Sequence, residues 1–508
     1  VTTTTRHSNW LTALLALAGG AGITLSLAPF DLLPFALLGP ALLYWLQRHQ
    51  KGRPAFLTGW AFGIGFWGAG VSWVYVSIHT YGNASAALAG LLTGLFVVAL
   101  GLLFAVQGWC FSKLAQPARQ RWLVFSLVWV GFEWLRSWLL TGFPWLLLGY
   151  AWLDTPMQSW APVGGVWLLS LLSVLLATGL VRLLVDRKPL ALIPGALMAA
   201  IAFALPLNWT EPQDNKPLDV ALIQPNIPQL AKWQPDNLQR ILQHQISLSL
   251  PMADADLIVW PETAIPATFD RAAPVLTPFL NRLDAQGTAL ISGFPFAEAD
   301  PESPRGHRFH NSIGVFSGGQ DLYHKQRLVP FGEYVPFEAQ LRGLIAFFDL
   351  PMSSFSLPTR DTDPLQLGEL SIAPAVCYEI AYPGLVRSLA NDSGILLTVS
   401  NDTWFGRSIA PDQHLQLARM RALENGRWLI RSTNNGLTAF VAPDGSIAAL
   451  APVDQATQLR YTLIPMSGLT PWQRFGLWPV TLLGLVLGLV AFWRPGQRNA
   501  LKQYRPTV

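Results

Sequence analysis

The chain has 508 residues, of which 51% are hydrophobic and only 13% charged, with 22 Trp and two Cys. That balance excludes an ordinary soluble globule or a disordered chain and describes a membrane protein with a sizeable polar part. The net charge of +4 comes from basic residues scattered at the ends of apolar stretches and not from one patch, which excludes nucleic acid as a partner.

Apolar stretches of spanning or near-spanning length lie at roughly 10–28, 30–46, 55–77, 86–111, 122–140, 161–181, 189–207 and 475–493, taking about 20 residues per span. The first two are short and hinge around Pro29 and Pro34. Arg6 and the run Ala16-Leu17-Ala18 also resemble a signal peptide, a reading that the continuing spans weigh against. Lys and Arg mark the cytoplasmic side of a span. Arg48, Lys51 and Arg53, then Lys113, Arg119 and Arg121, then Arg182, Arg187 and Lys188 all fall on one side, whereas the connections near 78–85 and 141–160 carry no Lys or Arg. With eight spans, both termini are cytoplasmic and the segment between the last two spans lies outside. The predicted division is a bundle of about seven helices over 1–207, an outer domain over 208–470, and a final helix with a cytoplasmic tail over 471–508.

Residues 208–474 hold 19 Lys and Arg against 26 Asp and Glu, a net charge of −7, which leaves +11 for the remainder. Within the spans, Glu133 and Arg136 sit three apart on one helix face and are read as a structural ion pair in preference to a headgroup site. Cys110 is read as a small buried apolar residue.

Through the outer segment, short β-rich runs recur at 219–223, 257–260, 289–292, 312–316, 372–376, 395–399 and 437–441, alternating with helix-like stretches at 236–250, 274–286 and 412–428. Alternation of this kind predicts an α/β sheet domain. The loop over 344–355 has the wrong polarity for water, with Phe347, Phe348, Met352 and Phe355 among its residues. Either it dips into lipid as a lid or it tucks beneath the domain.

Glu262 follows one strand, Lys325 lies in the run Tyr323 to Pro330, and Cys377 ends another strand. Strand ends of open α/β sheets gather at one edge, where active sites form. A nucleophilic Cys needs a base and a cation or a helix start. Glu262 is available as the base, Lys325 as cation and oxyanion partner, and the run from Pro383 to Leu389 can begin a helix whose amino end adds to the effect. His307, His310 and His324 are read as ordinary loop histidines and not as a metal site. His414 is read as a surface or structural residue.

The strings Trp260-Pro261-Glu262, Lys325 within Lys-x-x-Leu-Val-Pro-Phe-Gly-Glu333, and Cys377-Tyr378-Glu379 resemble the Glu-Lys-Cys triad of the nitrilase (carbon–nitrogen hydrolase) superfamily. Together with the flanking spans, the runs at 329–336, 400–406 and 431–436 make the whole chain resemble the apolipoprotein N-acyltransferases, the membrane-bound family that adds the third acyl chain to bacterial lipoproteins. The resemblance implies an α/β fold with membrane α-helices, in which a nitrilase-like αββα sandwich is inserted before the last of about eight transmembrane helices of the inner membrane, with the catalytic domain periplasmic. It implies Cys377 as nucleophile, Glu262 as general base and Lys325 as oxyanion stabiliser. Glu333, Tyr378 and Glu379 would support them, and Trp233, Phe347, Phe348 and Met352 would meet lipid. A phospholipid acyl donor, a diacylglyceryl apolipoprotein acceptor, no metal or organic cofactor, and a monomer are expected. A membrane-tethered amidase or nitrilase would use the same triad but leaves the spans and the apolar loop unexplained, and a transporter with an outer binding module finds little polar pathway in spans with so few charges.

Overall fold

The computed structural model of the protein describes residues 3–213, 217–302, 306–336, 354–360 and 362–493, with side chains from residue 9 onward. Phe347, Phe348 and Met352 lie outside the described residues, as does the tail beyond 493.

Each predicted apolar stretch carries one helix: α1 (Thr3–Ile23), α2 (Pro34–Gln47), α3 (Arg53–Gly70), α4 (Ala86–Leu114), α5 (Arg121–Arg136), α6 (Ala161–Leu184), α7 (Ile193–Ala202) and, at the far end of the chain, α12 (Trp478–Phe492). Among the described residues, three of these regions are long and apolar enough to cross a membrane: Asn9–Ser26, Ala86–Leu114 and Pro156–Leu184. A fourth is added if α3 and the turns Val74–Tyr81, bent from it by 61°, form one broken span. The remaining helices have 14, 16, 10 and 15 residues. At 1.5 Å per residue, 16 residues rise only about 24 Å.

Small residues set the packing of the first helices. A Cβ at Gly65 of α3 would collide with the carbonyl of Leu17 in α1, and one at Gly20 of α1 with the carbonyl of Phe62 in α3. The two helices thus meet backbone to backbone, as helices do where no water drives association. Helix α6 is the central pillar, with 78% of its apolar window buried.

In the outer segment the strands are β1 (Leu218–Gln224), β2 (Leu257–Val259), β3 (Ala289–Ala299), β4 (His307–Ser317), β5 (Asp321–His324), β6 (Leu365–Leu367), β7 (Leu370–Val376), β8 (Ile395–Ser400), β9 (Trp428–Thr433), β10 (Ala439–Val441), β11 (Ile447–Leu450) and β12 (Thr457–Leu463). They form two six-stranded sheets, in the orders β12-β1-β2-β3-β4-β5 and β11-β10-β9-β8-β7-β6. In each, three central strands run parallel, β1-β2-β3 and β7-β8-β9, and the flanking pairs are antiparallel. The helices α8 (Leu238–Ser249) and α9 (Phe269–Gln286) cover the first sheet, and α10 (Pro383–Ala390) and α11 (Ala410–Asn425) cover the second.

Every predicted strand and helix of this segment is present, with shifted ends. Helix α9 starts at Phe269, five residues before the expected start at Pro274, and carries Pro274 and Pro278 inside it. The strand β9 falls partly where a helix end was expected, because Arg431, Ser432 and Thr433 disguise a fully buried strand. The strand β11 is a short apolar run, Ile447 to Leu450, that is largely exposed, and β12 exposes much of its length and alternates polar with apolar residues.

Of the two helices over the second sheet, α10 keeps Gly384 and Ser388 exposed, whereas α11 does not face water. Helix α11 is buried on nearly every side, between the second sheet and the membrane helices. Gln413 accepts from the Trp145 indole at 2.8 Å and donates to the Gly70 carbonyl at 3.2 Å. Where α6 is kinked at Gly164 and Gly165, the freed Val166 N–H donates to Glu424 of α11 at 2.8 Å. One continuous apolar core runs from the membrane helices through α10 and α11 to the space between the sheets, and only the α8–α9 layer has a core of its own.

Replacing Gly65 by Val should drive α1 and α3 apart and destabilise the protein by at least about 1–3 kcal/mol. Gly90→Ala, where an added Cβ meets nothing within 4 Å, should leave it as stable or stabilise it slightly. Thermal unfolding in detergent checks both, and equal melting temperatures for the two variants would refute the backbone contact.

Candidate active site

Two parallel strands end at the junction of the sheets and deliver the first two groups. Beyond β2, Pro261 turns the chain and Glu262 points into the interior, 7% exposed. Beyond β7, Cys377 opens the 3-10 turn Cys377–Ala381 with φ +54°. Residues with a Cβ seldom adopt that conformation, and it persists only where the surroundings enforce it. Lys325 follows β5, and its N–H donates to the Asn311 carbonyl of β4 at 2.8 Å.

The side chains form one buried polar cluster. Lys325 Nζ lies 3.9 Å from Glu262 Oε1 and 2.8 Å from Glu333 Oε2. Asn311 Nδ2 donates to both carboxylates, at 2.8 Å to Glu262 and 2.7 Å to Glu333. The Val329 N–H donates to the second oxygen of Glu333 at 2.8 Å. Burial opposes the charge on Lys325, yet Glu333, Glu262 and Cys377 hold its ammonium above the usual range. Burial pushes Glu262 up, against the pull of Lys325. Burial, then the Glu262 carboxylate, raise the Cys377 thiol, while Lys325 and a hydrogen bond from Ser400 work the other way. The site therefore gathers a thiol that burial keeps protonated, an acid whose pKa burial raises, and an ammonium that its neighbours keep charged.

Glu379, fully buried, ties the segment of Cys377 to that of Lys325. It accepts from the N–H groups of Val376 (2.7 Å), Gln326 (2.6 Å) and Arg327 (3.1 Å) and from the Tyr323 hydroxyl (3.1 Å). Burial raises its pKa to about 7 despite these donors. Tyr378 faces the membrane part: its hydroxyl donates to the Gly142 carbonyl at 3.0 Å and its ring stacks on Phe143 and Trp145. That loop is clamped from α5 by Arg136, which donates to the carbonyls of Trp145 (2.6 Å) and Leu146 (2.8 Å), and by Glu133, which accepts from the Leu148 N–H at 3.0 Å. The pair itself is buried at 3.8 Å, so it acts as the structural pair read from its spacing.

Trp233 closes the short turn Gln229–Lys232 and is half-buried, with a buried indole N–H that has no partner among the described residues. Its neighbour Lys232, which residue type and spacing did not single out, reaches the site directly. It is buried, and Nζ donates to the Glu262 carbonyl at 3.0 Å; burial lowers its pKa to about 8.

A second buried network lies behind the thiol. Asp402 pairs with Arg431 Nη2 at 2.7 Å and with His414 Nδ1 at 3.0 Å, and accepts from Ser400 at 2.7 Å. His414 Nε2 is 3.1 Å from the Cys377 carbonyl. Burial works against the Asp402 carboxylate, but Arg431 and His414 hold its pKa far below the usual range. His414 is thus structural and not at the surface. Its sequence neighbours carry no signal of this, whereas Asp402 and Arg431 sit in the polar runs singled out above. His307, His310 and His324 lie on strands and not in loops: His310 bonds Glu298 at 3.0 Å and the Ser356 carbonyl at 2.9 Å, and His324 bonds Ser312 at 2.8 Å.

The chain's relatives agree with this arrangement of helices and sandwich. The apolipoprotein N-acyltransferase N-terminal domain matches residues 19–179, and carbon-nitrogen hydrolase matches residues 219–474. Apolipoprotein N-acyltransferase of Pseudomonas aeruginosa is 47% identical over 506 residues, covering 96% of this chain and 98% of its own. That of Pseudomonas syringae is 45% identical over 488 residues, covering 94% and 96%, and that of Vibrio vulnificus is 40% identical over 498 residues, covering 95% and 96%. The chain belongs to the apolipoprotein N-acyltransferase family and carries the carbon–nitrogen hydrolase fold.

Asp402→Asn should cost about 3–5 kcal/mol, because it leaves Arg431 buried without its anion. A carboxyl whose pKa is lowered by folding adds stability above its unfolded value of about 4, lost as pH falls below that value towards the folded one. The wild-type melting temperature should therefore drop below about pH 4, and the Asn variant should drop less. An equal fall in both would show that this network does not contribute.

Proposed function

We propose that this member of the family transfers an acyl chain from a membrane phospholipid, through a thioester on Cys377, to the N-terminal amine of a diacylglyceryl-cysteine apolipoprotein. The observation that carries the reading is the convergence of thiol, carboxylate and ammonium at strand ends, on the side of the sandwich packed against apolar helices. In the first half-reaction Glu262 takes the thiol proton as Cys377 Sγ attacks the sn-1 ester carbonyl. Lys325 and backbone N–H groups hold the oxyanion. The carbon–oxygen bond breaks, Glu262 returns the proton to the departing oxygen, and a lysophospholipid leaves.

In the second half-reaction the α-amine attacks the thioester, Glu262 accepts its proton, the carbon–sulfur bond breaks, and the proton returns to sulfur. A thioester suits an amine acceptor because it is aminolysed more readily than an oxygen ester, and a dry site keeps water from competing. Two substrates using one thiol in turn give ping-pong kinetics. Glu333 fixes Lys325 through its direct ion pair, and Glu379 and Tyr378 hold the turn that presents Cys377. Trp233 and the loop bearing Phe347, Phe348 and Met352 meet the lipid chains.

The protein acts as a monomer in the bacterial inner membrane, with about eight spans, the catalytic domain over 208–470 in the periplasm, and both termini in the cytoplasm. Family membership, the apolar helices and the unequal distribution of Lys and Arg support this placement.

Incubation with phospholipid followed by intact-mass measurement should show one added fatty acyl on the wild type and none on Cys377→Ala. An acylated Ala variant would overturn the nucleophile. Removing the cation with Lys325→Met should slow loading by about 100-fold or more. Membrane-impermeant labelling from outside should reach cysteines introduced in 208–470 and miss those introduced at 48–53; the reverse pattern would overturn the orientation.

A further inference from the structure

Beside the site, but not containing its thiol, runs a groove of about 1020 Å3 between the sandwich and the membrane helices. Its membrane wall is aromatic: Trp134 in the last turn of α5, Trp138 just past it, Phe475 shortly before α12 and Trp478 at its start are between 42% and 64% exposed. Indoles half in contact with solvent at the ends of apolar helices mark the level where hydrocarbon meets headgroups. The opposite wall comes from the catalytic domain and is basic. Arg308, Arg327 and Arg387 line it, and no described lining residue is Asp or Glu.

Arg308 is already paired with Asp300. Arg327 and Arg387 have no carboxylate partner among the described residues. Arg327 donates to the Gln326 carbonyl at 3.0 Å and lies over the Tyr382 ring. Arg387 donates to the Gln473 carbonyl at 2.9 Å and lies over the Trp472 ring. Stacking of this kind holds a guanidinium in place while leaving its other N–H groups free. The amino end of α10 also opens onto the groove, at Pro383 and Gly384, with no side chain capping it. Two unpaired guanidinium groups and an uncapped helix start ask for an anion with several oxygens. The facing indoles ask for hydrocarbon.

We propose that this groove is a phospholipid site, in which Arg327 and Arg387 grip the phosphate and the acyl chains lie along Trp134, Trp138 and Trp478. Arg327 is two residues beyond Lys325, so a lipid held here waits next to the thiol with its ester region towards the site. That role as a donor's waiting position rests on the acyl-transfer reading; the lipid site itself does not.

The test uses the full chain carrying Cys377→Ala, which cannot be acylated, titrated with dioleoyl phosphatidylglycerol in detergent micelles and read by native mass spectrometry. Adding Arg327→Gln and Arg387→Gln should weaken phospholipid retention by about tenfold or more, given the worth of charge-assisted hydrogen bonds. Dioleoylglycerol, which lacks the phosphate, should bind weakly and equally to both proteins. Undiminished phospholipid retention in the double variant, or diacylglycerol retained by the parent as tightly as phospholipid, overturns the proposal. If the double variant does not fold, Arg327→Gln alone, at an exposed position with one hydrogen bond, should still weaken retention about threefold, and no change overturns it. On the Cys377 background, the double variant should need about tenfold more phospholipid for half-maximal acyl loading while p-nitrophenyl hexanoate loads it at the wild-type rate. Failure of both donors to load the wild type would sink the acyl-transfer reading and leave the retention experiment to decide the groove.

Discussion

Two carboxylates and the Lys325 ammonium share one buried space, and the rest of the site is arranged around that fact. Isolated, each buried charge would cost several kcal/mol. Lys325 answers both Glu262 and Glu333, and the single amide of Asn311 donates to each acid in turn. Because Glu333 makes the shorter ion pair and also accepts from Val329, it is the fixed member. Glu262 lies farther from the ammonium, at 3.9 Å, and in the proposed mechanism it is the member that exchanges a proton. The division of labour between two acids of the same type follows from these distances, in the way that environment assigns roles to paired carboxylates generally.

Cys377, the proposed nucleophile, needs a second kind of support, since its backbone sits at φ +54°, worth of order 1–2 kcal/mol for a residue with a Cβ. On one side Glu379 binds the N–H just before it, and on the other His414 meets its carbonyl. These are separate networks with separate charges, Glu379 reaching towards Lys325 and His414 towards Asp402 and Arg431. The turn is therefore gripped from both flanks, which keeps Sγ aimed where two parallel strands end.

What could be read from residues alone follows the physics of each signal. Glu262, Lys325 and Cys377 were legible because chemistry-bearing side chains stood just past apolar strand runs. The alternation of strands and helices was legible because β1, β2, β7 and β8 are buried and continuous. The strand β9 was not, since its buried Arg431 is neutralised by Asp402, distant in sequence, and no local pattern announces that partner. His414 failed for the same reason: its burial depends on helix α11 being enclosed on both faces, a tertiary fact. Lys232 was hidden beside the conspicuous Trp233, because its value lies in reaching a backbone carbonyl 30 residues away.

The enclosure of α11 bears on how the two halves of the chain relate. In a free-standing four-layer sandwich the outer helices would show water a polar face. Here Leu415, Leu417, Ala418 and Ala422 belong to the same apolar core as Trp145, Leu147 and Val166 of the membrane part, and Gln413, Gln416 and Glu424 spend their polar atoms on backbone groups across that boundary. The sandwich and the helices are thus one packing unit, joined along the layer that presents Cys377. Tyr378, fixed at once to the nucleophile's turn and to the Gly142 carbonyl, sets the distance between thiol and apolar helices by direct contact. Under the proposed acyl transfer, a lipid substrate could meet the thiol without the domain having to approach it.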